Sequence, residues 1–263
     1  MDVTEAVLSN GTIHGRHPWE IVRADAVVRM TKKSIPDAAG AKIAVLDMGC
    51  GDGYVAGRLS ALMPQAAIVG VDPELDRLPA GDNSSSSSRA TPVKIVATLD
   101  EARRFLGKPA DIILLLDVLE HIERDADFLH TLADDHISGT QARFLIAVPA
   151  FAGLYSAHDR FLHHLRRYSQ AALDETIDGA GLLCVEMGYW FFSLLLVRCF
   201  QKIAGSIIPP RNITGIRAWK PRPLLDLILK YCLTFDIRLC RIMRKTRIVL
   251  PGLSLYALCK KPA

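Results

Sequence analysis

Short apolar runs alternate along the chain with stretches in which apolar residues recur at helical spacing. The runs predict strands at 45–46, 67–71, 93–97, 112–116, 143–148, 181–189 and 253–260. Helical spacing is clearest at 17–30, where Ile21, Ala24, Val27 and Val28 fall on one face, and at 54–63. Strands that alternate with helices are typical of a parallel sheet covered on both sides. The pattern therefore predicts an α/β fold with a doubly wound, Rossmann-like sheet of seven strands.

Nearly sixty residues separate the sixth and seventh predicted strands. They contain the apolar runs 190–197 and 203–208 and a longer helical pattern at 224–245, whose cations gather on one arc beside a broad apolar face. We expect segment 190–247 to be a basic, apolar helical insertion. Such helices suit a membrane surface, and they would equally suit packing on the domain or on a second subunit.

Charge is distributed unevenly between this insertion and the rest of the chain. Segment 190–247 has twelve Lys or Arg against two acids, a net +10, whereas the remainder has twenty against twenty-six, a net −6. The asymmetry indicates an anionic partner. Nucleic acid is disfavoured, because the cations are interleaved with aliphatic rather than stacking aromatic residues.

The first strand runs into a loop with glycine at every second position. Its candidate cofactor ligands are Asp47, Gly49, Cys50, Gly51 and Gly53. Glycines admit a ligand close to the backbone, and the helix that follows points free N–H groups at it. The second strand ends in Asp72, nineteen residues after Gly53, near the distance at which a carboxylate meets ribose hydroxyls. A nicotinamide-dependent oxidoreductase would instead show G-x-G-x-x-G.

The fourth strand opens into the segment Asp117-Val-Leu-Glu-His-Ile122. Together with the glycine loop and Asp72, this segment resembles class I S-adenosylmethionine-dependent methyltransferases, in particular the small-molecule enzymes of the ubiquinone-biosynthesis type. The resemblance implies that Asp47 and the loop hold the methionine part of S-adenosylmethionine, that Asp72 binds ribose, and that Leu99 and Asp117 meet adenine and the amino group. It also implies an antiparallel last strand.

A single methyltransferase domain, 1–263, follows from this resemblance. We expect an N-terminal helical lid at 14–40, with Trp19 as a residue that lines the site or packs the helix, and a Rossmann-like core at 41–189 and 248–263. Asp117, Glu120 and His121 resemble a cation-binding cluster of some ubiquinone O-methyltransferases. Many relatives carry these letters without metal, so our prediction contains no metal.

Ionisable residues crowd the segment after the fifth strand, at the edge of the sheet where open α/β proteins bind ligands. We predict His158 as the base that takes an acceptor proton, with Asp159 orienting it. The predicted acceptor ligands are Tyr155, His163, Arg166, Arg167 and Tyr168. Capping helices and binding water are the alternative roles of these side chains.

The predicted activity is methyl transfer to a small-molecule acceptor, which is a membrane-associated lipid, quinone or polyprenyl/glycan-linked compound. The alternative is a catalytically silent adaptor of the same fold. Six cysteines without a C-x-x-C pair indicate a reduced, cytoplasmic protein. The N-terminus lacks an apolar signal region, and no apolar run is long enough to span a membrane. We expect a monomer or homodimer, peripheral on the inner face of the membrane.

Overall fold

The computed structural model describes residues 16–35, 42–74, 93–207 and 222–262. Its helices are α1 (Pro18–Ser34), α2 (Tyr54–Leu62), α3 (Leu99–Leu106), α4 (Asp125–Asp134), α5 (Ala157–Phe161), α6 (Gln170–Gly179), α7 (Phe192–Ile207) and α8 (Pro223–Lys245). Two short 3-10 turns lie at Leu119–His121 and Ala152–Leu154. The serine-rich stretch 84–88 lies outside the described residues.

Seven strands form one sheet: β1 (Ala44–Met48), β2 (Ala67–Val71), β3 (Lys94–Val96), β4 (Ala110–Leu116), β5 (Ser138–Pro149), β6 (Leu183–Trp190) and β7 (Ser254–Lys260). Their order is β3-β2-β1-β4-β5-β7-β6. The strands from β1 to β5 are parallel, whereas β7 is antiparallel to both of its neighbours. The predicted fold class, including the antiparallel last strand and the helices between β6 and β7, is confirmed.

Two apolar cores cover the two faces of the sheet. Alternate residues of a strand serve opposite cores: Ile113 and Leu115 of β4 meet α3, α4 and α6, while Ile112 and Leu114 meet α1, α2 and α8. This division follows from the period-2 geometry of a strand. Because both faces are buried, β4 is an almost continuous apolar run, as in other parallel sheets.

Helices α7 and α8 form the insertion. The carboxylate of Asp236 on α8 is 4% exposed and accepts hydrogen bonds from the backbone N–H (3.0 Å) and hydroxyl (2.9 Å) of Ser193. This contact stabilises the first turn of α7 and holds it against α8. Leu233 and Ile237 of α8 enter the core, so the second helix is partly an element of the domain.

None of the described helices is both long and apolar enough to cross a bilayer.

Candidate functional site

The loop after β1 is built from glycines in left-handed conformations. Gly49, Gly51 and Gly53 have φ of +67°, +54° and +71°. A Cβ on Gly49 would lie 2.7 Å from the Val118 Cγ2 methyl, and one on Gly53 would lie 2.6 Å from Ile95 Cδ1. The backbone conformation and the tight neighbours both favour glycine here.

Cys50 points into the protein. A Cβ on Gly70 of β2 would lie 2.5 Å from the Cys50 sulfur, so the thiol packs over that glycine. The Gly49 and Cys50 N–H groups donate to the Val71 carbonyl, which fixes the loop to β2. The thiol of Cys50 therefore helps to shape the loop. The predicted contact of Cys50 with a cofactor would therefore be made by its backbone atoms.

Two carboxylates flank the loop. Asp47 is 2% exposed, its Oδ2 has no hydrogen-bond partner among the described residues, and burial raises the pKa of this carboxyl to about 7. Asp72 accepts hydrogen bonds from the N–H of Gly51 (2.8 Å) and of Glu74 (3.0 Å). A carboxylate has about four acceptor positions, so Asp72 retains capacity for ribose hydroxyls.

Two arginines contact acidic residues of the site: Arg23 lies in α1, and Arg16 lies just before this helix. Arg23 is ion-paired with Asp117, and its Nε and Nη2 atoms are buried without a partner among the described residues. Arg16 pairs with Asp52 and lies over the Tyr54 ring, 3.8 Å from its centroid. Arg23 was not predicted as a site residue, although it lies four residues after Trp19 on the same face of α1. Trp19 packs against Phe191, with ring centroids 6.0 Å apart.

Leu99, predicted to meet adenine, is the first residue of α3. It is partly buried and packs against one of the two cores. Its role as a cofactor ligand stays a prediction.

The segment after β5 is organised around Asp159, which is fully buried. Its carboxylate accepts hydrogen bonds from Arg167 Nε (2.7 Å) and from the N–H and hydroxyl of Ser156 (2.8 and 2.9 Å), and it lies 3.2 Å from His164 Nδ1. Burial opposes ionisation, but the hydrogen bonds from His164 and Arg167 hold the pKa of Asp159 well below its usual range. Asp159 thus orients His164, whereas the predicted partner was His158.

His158 faces a different neighbour. Burial lowers the pKa of its imidazole, and the positive charge of Arg198 on α7 lowers it further. A neutral imidazole retains a basic nitrogen at neutral pH. The predicted role of His158 as a base is therefore compatible with its surroundings, but without a hydrogen bond to Asp159 in the part of the chain that the structure describes.

Most of the predicted acceptor ligands hold the segment together. Arg166 donates to Asp125 and to the Glu123 carbonyl. The Tyr168 hydroxyl, on a side chain that is 2% exposed, donates to Asp125 (2.6 Å) or the Leu119 carbonyl (3.1 Å), and the Tyr155 hydroxyl donates to the His164 carbonyl (2.7 Å). Arg167 is held by Asp159 and the Ala150 carbonyl. His163 is exposed. Acceptor binding by these five residues stays a prediction.

The segments after β4 and β5 meet at three side chains. Glu120 is 0% exposed and neither of its carboxylate oxygens has a hydrogen-bond partner among the described residues. Burial, with the Asp117 charge as the next cause, raises the pKa of Glu120. The rings of His121 and His164 form an edge contact with centroids 4.8 Å apart. His164 was not predicted as a site residue, because Glu120 and His121 are more than forty residues away in the sequence and only Asp159 is a local partner.

A family model described as a methyltransferase domain matches residues 46–136, about a third of the chain. The match contains the glycine loop, Asp72, Leu99, Asp117 and Glu120. A search of curated protein sequences finds no significant match.

Several solved structures share the fold. They include the plantazolicin methyltransferase BpumL in complex with S-adenosylhomocysteine (13% identity, 100% of this chain and 95% of that chain covered, TM-score 0.53). Magnesium protoporphyrin IX methyltransferase from Synechocystis PCC 6803, also with S-adenosylhomocysteine, is 13% identical with a TM-score of 0.50. The comparison covers 91% of this chain and 82% of that chain. The [4+2]-cyclase SpnF is 13% identical with a TM-score of 0.50, and the comparison covers 91% of this chain and 81% of that chain.

These findings carry different weight. At such identities the structural likeness shows the fold alone, and the cyclase shows that this fold does not specify one reaction. The family match is the finding that supports methyl transfer. The predicted S-adenosylmethionine-dependent methyltransferase and its cofactor are confirmed at the level of domain and fold, whereas the ubiquinone-type resemblance stays a prediction. Residues 46–136 match the model of a methyltransferase domain, and the chain around them shares its fold with S-adenosylmethionine-dependent methyltransferases.

Proposed function

We propose that the protein methylates a membrane-associated amphiphile, such as a lipid, a quinone or a polyprenyl/glycan-linked compound, while it is bound peripherally to an anionic membrane surface. The observation that carries this proposal is the concentration of exposed apolar side chains on the insertion. Among the described residues, eleven of eighteen exposed large hydrophobic side chains lie within 190–247. A domain that only had to bury these helices against itself would not leave them exposed.

The cofactor end of the site fits a methionine zwitterion. Asp47 supplies a buried acceptor without a partner, and Arg23 supplies two buried donors without a partner, all among the described residues. An ammonium group would satisfy the first and a carboxylate the second. Asp72 would hold the ribose, and the left-handed glycines leave room for the chain that joins them. When bound, S-adenosylmethionine supplies a methyl group that its sulfonium charge has already activated.

The residues of the chain then have mainly a positioning role. In-line transfer needs the acceptor atom behind the methyl group and little water between them. A base is required only if the acceptor atom carries a proton, and we assign that role to His158, whose lowered pKa keeps it neutral.

An apolar groove beside the segment after β5 offers a place for the hydrophobic tail of an acceptor. It has a volume of about 580 Å³ and lies between the turn after β5 and α7. Its lining is formed by Phe151, Gly153, Leu154, Leu195, Cys199, Lys202, Ile203 and Pro251. Lys202 donates to the Gly153 carbonyl and Arg198 donates to Ser156. These cations supply positive charge for an anionic head group.

The insertion also has an apolar stripe on α8. Leu224, Ile228, Tyr231 and Phe235 follow one face at helical spacing, and Leu224 and Tyr231 are 72% and 70% exposed. The exposed Arg238 and Arg241 lie beside the stripe. Apolar side chains flanked by cations match the interface of an anionic bilayer.

The first experiment is a calorimetric titration of the purified protein with S-adenosylmethionine, S-adenosylhomocysteine and NADH. We expect binding of the first two and none of the third. If none of the three compounds binds, the enzymatic proposal is contradicted. The adaptor alternative then remains, provided that the protein still binds vesicles.

The second experiment tests the membrane contact by sedimentation with anionic vesicles. We expect Tyr231→Ser/Phe235→Ser to reduce the bound fraction several-fold, because two large apolar side chains no longer enter the interface. Phe105→Ser, at an exposed apolar position on α3, is the matched control and should leave it unchanged. Equal sedimentation of the double variant and the control would rule out this surface, while retained cofactor binding would show that the variants fold.

A further inference from the structure

A buried carboxylate without a partner is an unusual feature of the edge that carries the site. Glu120 lies in the 3-10 turn after β4, is 0% exposed, and has no hydrogen bond to either carboxylate oxygen from the described residues. A lone buried carboxyl costs free energy unless a proton, a cation or a metal ion compensates it. The groups that face the two oxygens decide which compensation applies.

Two imidazoles surround this carboxylate. One ligand atom each from Glu120, His121 and His164 lies within 4.8 Å of the other two. Ligands at about 2.1 Å around a tetrahedral ion are roughly 3.4 Å apart, so ion binding requires inward movements of about 1 Å or less for each side chain. Rotation of the two rings and of the carboxylate could supply movements of this size.

His164 is oriented in the manner of a metal ligand. Its Nδ1 lies 3.2 Å from the Asp159 carboxylate, and a proton held on Nδ1 by this contact would make Nε2 the coordinating nitrogen. Asp159 is itself held by Arg167 and Ser156, so the imidazole is supported by a second layer of hydrogen bonds. Carboxylate-oriented histidines of this kind are common at metal sites.

The nearby carboxylate of Asp117 already has a partner outside this cluster. Asp117, three residues before Glu120, is ion-paired with Arg23 of α1. The ligand set that the structure brings together is thus different from the Asp117, Glu120 and His121 set that the sequence suggests, because His164 takes the place of Asp117.

We propose that Glu120, His121 and His164 bind a divalent transition-metal ion, with Zn²⁺ as the favoured ion. Two imidazoles and one carboxylate suit zinc, whereas magnesium prefers an all-oxygen shell. Three protein ligands leave a fourth position open for water or for an acceptor oxygen. The ion at this position would lower the pKa of a bound hydroxyl next to the edge where the cofactor binds. Metal binding requires neither a membrane nor an identified acceptor, so it stands apart from the proposed function.

The test is calorimetric titration of the chelator-treated, dialysed full-length protein with ZnCl₂, and separately with MgCl₂. We expect one Zn²⁺ for each chain and no heat of binding with Mg²⁺. Glu120→Gln and His164→Asn should each weaken zinc binding a hundredfold or more, and Asp159→Asn should weaken it about 10- to 100-fold, since it removes only the orientation of His164.

Controls separate this site from adventitious zinc. His136→Gln and Cys232→Ser change exposed potential ligands outside the cluster and should bind as tightly as the parent protein. Substitution with Co²⁺ should give a visible spectrum without thiolate charge transfer, because the proposed ligands are nitrogen and oxygen. Thermal melts and S-adenosylhomocysteine binding verify that each variant folds.

Two results would overturn the proposal. One is the absence of zinc binding by the parent protein. The other is binding that survives in Glu120→Gln and His164→Asn, both folded, at the parental affinity. In either case Glu120 would be a buried protonated acid, and its replacement by Gln would leave the melting temperature nearly unchanged.

Discussion

At the scale of single residues, the site depends on groups whose bonding is incomplete in the protein alone. Asp47 and Arg23 each keep polar atoms buried and unpaired among the described residues. Such atoms lower the stability of the fold, and the cost is recovered when a ligand pairs with them. Sequence patterns identified Asp47 as well as the glycines and Asp72, which shape the loop. Arg23 could not be found in this way, because its partner Asp117 is ninety-four residues away.

The charge on Asp47 leads to a prediction about pH and stability. Burial raises the pKa of this carboxyl to about 7, with the negative charges of Asp72 and Asp52 raising it and Arg23 lowering it. A carboxyl that is harder to ionise in the fold than in the unfolded chain favours the fold when protonated. Its stabilising contribution is complete below about pH 4 and is lost as the pH rises through 7.

Asp47→Asn should remove this contribution. In thermal melts without cofactor, the parent protein should lose stability relative to the variant between pH 4 and 7, by a few kcal/mol at most. S-adenosylmethionine binding should show the opposite trend and tighten in the parent protein as the pH rises through 7, since the ionised carboxylate attracts the ammonium group. Parallel stability curves for the two proteins would show that Asp47 has an ordinary pKa.

At the scale of elements, sequence periodicity was sufficient for the sheet and insufficient for the segment after β5. Strand β2 was predicted to the residue, and β4, which is apolar from Ile112 onward, was predicted to within two residues. The observed β5 begins at Ser138, five residues before its predicted start, because Ser138 pairs with Ala110 of β4 ahead of a shift in register. The segment after β5 is held by contacts between residues that are distant in the sequence, such as Tyr168 and Asp125. No local sequence pattern reveals such contacts.

The contact between the two insertion helices is a testable element. Asp236 of α8 accepts hydrogen bonds from the N–H and the hydroxyl of Ser193 on α7. Asp236→Ala should lower the free energy of unfolding by about 1–3 kcal/mol, because a helix N-terminus loses its acceptor. Chemical denaturation would measure this change.

A double-mutant cycle with Ser193→Ala distinguishes the contact from a general effect of the substitution. We expect the two changes to be less than additive, since both remove the same hydroxyl-to-carboxylate hydrogen bond. Strict additivity would mean that the two side chains do not interact in solution.

At the scale of the whole molecule, positive charge and apolar surface are concentrated on the insertion. The net +10 of segment 190–247 contrasts with the net −6 of the remainder, so the molecule has a charge asymmetry that would orient it on an anionic surface. Sequence composition alone revealed this asymmetry. Which side chains are exposed required the structure, because Leu233 and Ile237 of the same helix are buried in the core.

The orienting charges can be tested separately from the apolar stripe. Arg238→Gln/Arg241→Gln should weaken binding to anionic vesicles by about 1 kcal/mol for each charge, roughly fivefold each, and the difference should shrink as salt is added. Lys94→Gln/Arg104→Gln removes two exposed cations on the β3 and α3 side and serves as the control. Equal losses in both double variants would indicate a nonspecific dependence on net charge.

The position of β7 has a consequence for biosynthesis. This strand lies between β5 and β6 although it follows both along the chain, so β6 has no neighbour in the sheet until β7 is in place. The insertion is synthesised before β7 and is therefore translated while the sheet is still open. During this interval the apolar stripe and the unpaired strand β6 are exposed together. We expect a nascent chain to be most prone to aggregation here, and a nearby bilayer would shield the stripe before the sheet is complete.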